Sequence, residues 1–68
     1  MSAKWQRITD PELAAELYSG GLLYEFGGMP PKDTNFGDRQ PQPAFGWGSS
    51  WDWILGLSDW SFYVLLEE

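Results

Sequence analysis

The sequence predicts an α+β miniature: a small three-stranded sheet, one short N-terminal helix, a long Pro/Gly-rich loop and a second helical turn. Three observations predict it. A capped amphipathic segment occupies residues 9–21, an alternating aromatic run closes the chain at 60–66, and four prolines with four glycines fill residues 27–46.

Residues 4–8, KWQRI, read as a short strand that sets Trp5, and Ile8 with it, against the core. In TDPELAAELYSGG, Asp10 before Pro11 reads as an N-cap followed by proline at the first helical position. Thr9 with Glu12 offers an alternative capping box, displaced by one residue. Leu13 and Leu17, and Ala14 and Tyr18, stand four apart and line one face of about two turns. Gly20 or Gly21 closes the helix. Two turns are unstable alone in water, so this helix must lean on something.

LLYEF, residues 22–26, reads as a strand with Leu22, Tyr24 and Phe26 on one face and Leu23 and Glu25 on the other. The segment 27–46 then loses backbone donors at its prolines and carries the entropy of its glycines, so no regular element is predicted there. A loop of that length in a compact domain is usually functional or partly disordered. Phe36 and Phe45 are its two anchor points.

GWGSSWDWILGLSDW holds four of the five tryptophans and admits two backbones. Extended, it places Trp47, Trp51 and Trp53 on one face. Helical, it begins at a Ser49-x-x-Asp52 box and gathers Trp53, Leu57 and Trp60 on one side, with Ile54 beside them. The local cap favours a helical turn over residues 50–57. The run WSFYVLL alternates and is a strand: Trp60, Phe62, Val64 and Leu66 form one face, Tyr63 and Leu65 the other. Apolar residues on both faces imply a central strand, or one covered by the loop or a partner subunit.

Residues 1–68 form a single small domain. A chain this short buries only about 60% of its extended surface. It has no cysteine and no histidine, so neither a disulfide nor an ordinary zinc site supplies stability. Twelve aromatic rings (five Trp, four Phe, three Tyr) carry that burden instead.

Charge narrows the partners. Ten acidic residues against four basic ones give a net charge of -6. Phosphate backbones and anionic lipid both reward cations, so direct nucleic-acid binding and membrane association are not expected. An acidic surface favours encounter with a protein carrying a basic surface. MSAKWQRI contains no apolar stretch of signal-peptide length, and the expected compartment is the cytoplasm of whatever cell makes the chain.

No enzyme is predicted. Without histidine or cysteine the common nucleophile and acid–base arrangements cannot be assembled. Asp52 with Asp59 is the nearest carboxylate pair, and it is better explained by capping and turn roles in water than by glycoside hydrolysis. No catalytic, cofactor-binding or metal-ligating residue is assigned, and no cofactor is implied. The glycines show neither a phosphate-loop nor a dinucleotide pattern.

The remaining candidate is a docking surface. Trp47, Trp51 and Trp53 are too crowded for all three to be fully buried, and exposed tryptophan is a frequent interface anchor. The predicted interface is Phe36, Phe45, Trp47, Trp51, Asp52 and Trp53. On that reading alanine at Trp51 and Trp53 leaves the fold intact.

WQRITDPELAAELYSGGLLYEF, Trp5 to Phe26, resembles small α+β proteins encoded in bacteriophages and prophages. What the resemblance implies is a phage accessory protein, with no catalytic residue to carry over. The composite expectation is a non-enzymatic protein–protein interaction module binding a host or viral protein, and self-association as a homodimer is compatible with it. Three rival readings stand beside it. They are a structural component of a virion or other assembly, an acidic decoy of a nucleic-acid-binding protein, and a small carbohydrate-binding module.

Overall fold

The computed structural model describes residues 3–28 and 36–67. Chain order is β1 (Ala3–Arg7), α1 (Pro11–Ser19), β2 (Tyr24–Gly27), β3 (Gln42–Pro43), α2 (Trp51–Ile54) and β4 (Trp60–Glu67). The sheet has four strands in the order β1-β4-β2-β3, every neighbouring pair antiparallel. The predicted three-stranded sheet is therefore corrected to four strands, and the second helical turn is a helix, α2.

The added strand lies inside the segment expected to be irregular. β3 is only two residues long and borders β2, with Tyr24 opposite Pro43 and Glu25 opposite Gln42. Proline is compatible with it because of where the missing donor falls. The Ala44 N–H donates to the Leu23 carbonyl at 2.9 Å. Donors alternate sides along a strand, so the Pro43 nitrogen faces away from β2, where no ladder bond is lost.

α1 follows its local signals. Asp10 Oδ1 accepts from the Glu12 N–H at 3.0 Å, and Pro11 opens the helix. At the other end Gly21 has φ +74°, the Gly21 N–H donates to the Tyr18 carbonyl, and the Leu22 N–H donates to the Leu17 carbonyl. This pair of bonds is the Schellman closure. Ala14 is fully buried, Leu17 and Tyr18 are half-buried, and Leu13 is exposed. The inward stripe is thus narrower than the four residues predicted.

β4 is central, with β1 on one side and β2 on the other. One face carries the main core, in which Ile8, Ala14, Leu23, Trp51, Ile54 and Phe62 pack together under the two helices. The opposite face carries Tyr63, fully buried, with its ring 4.9 Å from Phe36. Phe36 also lies 5.0 Å from Phe26 and 6.0 Å from Trp5, and Trp5 meets Tyr24 at 5.0 Å. The described part of the loop thus lids this second face. Arg39 fixes it further: Nη2 donates to the Gly27 carbonyl at 2.9 Å, and the guanidinium sits 4.5 Å above the Phe26 ring. Of the segment 27–46 expected to be partly disordered, residues 29–35 lie outside the described residues.

Gly27 stands opposite Trp60 across the β2–β4 ladder. A Cβ placed on Gly27 would fall 2.5–2.9 Å from three atoms of the Trp60 ring. The indole lies flat over the glycine because nothing projects from it. Gly27→Ala is therefore expected to lower unfolding free energy by about 1–3 kcal/mol, the usual range for overpacking. Urea unfolding followed by far-UV circular dichroism measures this.

Candidate functional site

The predicted interface residues do not share one environment. The GWG segment explains the first separation. Gly46 and Gly48 adopt φ +78° and +83°, a region costly to residues with a Cβ, and together they turn Trp47 back onto the sheet. The Trp47 N–H donates to the Tyr18 hydroxyl at 3.0 Å. Its indole Nε1–H donates to Glu25 Oε1 at 2.8 Å. The ring stands edge-on to Trp60 at 5.2 Å and to Phe62 at 5.1 Å. Trp47 is therefore half-buried and held by α1, by β4 and by the Glu25 carboxylate of β2.

Glu25 is the residue that sequence reasoning did not single out. It is 9% exposed, on the helix-covered face of β2 next to Phe62 of β4. A carboxylate in that position needs a donor, and the Trp47 indole supplies one. The only sequence signal was a lone glutamate within an apolar strand, LLYEF. Its donor lies twenty-two positions away, beyond the reach of any local pattern.

α2 divides the next three aromatic and acidic residues by period. Trp51 and Ile54, three apart, point inward and are each 2% exposed. Asp52 and Trp53 point outward, and Trp53 is 67% exposed. The helical reading grouped Trp53 with Leu57 and Trp60 on one side; Trp53 is exposed while Leu57 and Trp60 are half-buried, and it is Trp51 that enters the core. There it meets Phe62 at 5.2 Å and Tyr18 at 5.0 Å, both edge-on. Ser50 rather than Ser49 occupies the N-cap, without a side-chain cap bond.

Phe36 and Phe45 part company as well. Phe36 is half-buried in the second-face cluster described above. Phe45, just beyond β3, is 81% exposed. Of the six residues, then, Asp52, Trp53 and Phe45 are exposed, Trp47 and Phe36 are half-buried, and Trp51 is interior.

A shallow groove of about 210 Å³ runs between the start of α1 and α2, lined by Pro11, Glu12, Ala15, Ser49, Trp51 and Asp52. Its floor is apolar and its rim carries two carboxylates. Asp59, the other member of the carboxylate pair considered above, is also exposed. Among the described residues no group of three or more potential ligands is close enough to hold a metal ion. No helix among them is long and apolar enough to cross a membrane.

The chain matches no protein-family model, and neither a curated protein nor a solved structure is detectably similar to it.

Two outcomes follow from this geometry. Trp51→Ala removes a fully packed indole and is expected to cost about 3–5 kcal/mol. That approaches the whole stability of a domain this size, at roughly 0.05–0.15 kcal/mol per residue. The variant should lose its cooperative thermal transition, which reverses the expectation that alanine at Trp51 leaves the fold intact. Trp47→Phe keeps a ring but strips the donor from Glu25, at about 1–3 kcal/mol. The double variant Trp47→Phe with Glu25→Leu should recover part of that loss in a double-mutant cycle by urea unfolding.

Proposed function

We propose that this chain is a non-enzymatic protein–protein interaction module whose docking face is the outer side of α2. The observation that carries the reading is Trp53. It stands 67% exposed beside exposed Asp52, while Trp51 and Ile54 of the same helix are buried. In so small a fold, nearly every other indole is committed to packing, so an outward one is available as an anchor. Asp52 and Glu12 edge the adjacent groove, and a net charge of -6 favours a partner with a basic surface. The resemblance of Trp5–Phe26 to phage and prophage proteins makes a host or viral protein in the bacterial cytoplasm the natural partner.

Trp47 and Trp51 are held in the body of the protein, so they do not join Trp53 in a shared stacking platform. That speaks against the carbohydrate reading.

Trp53→Ala is expected to melt within a few degrees of wild type and to bind its partner at least tenfold more weakly. Asp52→Lys should slow association and lessen its salt dependence. The check is affinity capture from the native host followed by titration of the captured protein with both variants. Undiminished capture by Trp53→Ala would defeat the reading.

A further inference from the structure

We propose that the outer edge of β1 is a strand-addition site for an extended, acidic segment of a partner protein. This surface is separate from α2, so either site can fail without touching the other.

The two outer edges of the sheet are not alike. In the β1–β4 ladder the Ile8 N–H donates to the Phe62 carbonyl at 2.8 Å. Main-chain groups alternate sides, and the register places Lys4 opposite Leu66, Trp5 opposite Leu65, Gln6 opposite Val64 and Arg7 opposite Tyr63. The backbone N–H and C=O of Lys4 and Gln6 therefore face β4, whereas those of Trp5 and Arg7 point outward. Among the described residues no strand lies beyond β1. At the opposite edge the outward position of β3 is Pro43, which has no N–H to offer. β1 is thus the edge with donors to give.

Charge selects the occupant. Lys4, Arg7 and Arg39 are the described basic residues. Arg39 is engaged with Gly27 and Phe26, and the other two stand exposed on β1. The nearest carboxylate on the neighbouring strand, Glu67, sits opposite Ala3 on the side away from the open edge. With Lys4 and Arg7 on opposite faces of β1, as their odd spacing requires, this edge is a concentration of cations on a chain of net charge -6. It disfavours a second copy, whose β1 would bring two further cations alongside. It favours a strand with carboxylates opposite Lys4 and Arg7 and an apolar side chain opposite half-buried Trp5. Read antiparallel, that pattern is acidic, any, apolar, acidic, and the main-chain ladder supplies the rest of the affinity.

The test is a titration of the full chain, labelled with nitrogen-15, with the capped hexapeptide TETVET and its basic counterpart TKTVKT. TETVET should perturb and protect the Trp5 and Arg7 amides. The double variant Lys4→Glu, Arg7→Glu should bind it roughly tenfold more weakly, the scale of two exposed ion pairs. A chemically synthesised chain N-methylated at Trp5 should fold normally, because that N–H points outward, and should not bind. The proposal is overturned by any of four results. These are absence of binding, equal binding of TKTVKT, binding that leaves exchange at Trp5 and Arg7 unchanged, or sedimentation showing that copies pair through this edge instead.

Discussion

Strand β4 is apolar on both faces, and the remainder of the structure answers to that fact. Phe62 and Val64 need cover on one side and Tyr63 on the other, while the backbone between them must find ladder partners on both flanks. A long domain would stack helices on each face. The described residues provide two short helices, which cover one face only. Among the described residues of the loop, Phe36 and Arg39 cover the second face. Phe36 lies across Phe26 and Tyr63, and Arg39 ties the strand end at Gly27.

The same constraint sorts the tryptophans. Trp51 wedges under α1, Trp60 lies over Gly27, Trp5 reaches across to Tyr24, and Trp47 is turned inward by its flanking glycines. Each large ring fills space that the short helices leave empty. Trp47 carries a second duty, because a strand that alternates through LLYEF puts Glu25 under the helices, and the indole donor is what makes that placement tolerable. Trp53, 67% exposed, is the one of the five tryptophans without such employment.

Legibility in the sequence tracks the distance over which each signal acts. α1 was readable almost to the residue because Asp10, Pro11 and Gly21 act within one turn of the helix they bound. The centrality of β4 was readable because both its faces are apolar within eight residues. β3 was not, since its two residues, Gln42 and Pro43, show no period and pair only by grace of β2. The orientation of α2 was not readable for a related reason: four residues are too few to display a helical stripe, and three nearby tryptophans fit two backbones. The crowding of Trp47, Trp51 and Trp53 did imply that not all could be interior, but crowding has no direction. Which ring faces out is decided by Phe62 and Tyr18, from other parts of the chain.

The proline in β3 has a consequence for the behaviour of crowded solutions. Fibrous growth by sheet extension requires each molecule to be bivalent, joining one neighbour at its left border and another at its right. A monomer with a single competent border is a chain terminator: two can pair there, but the pair presents nothing for a third. Pro43 takes the outward main-chain donor away from that border, without any bulky or charged gatekeeper there, and so weighs against growth through it.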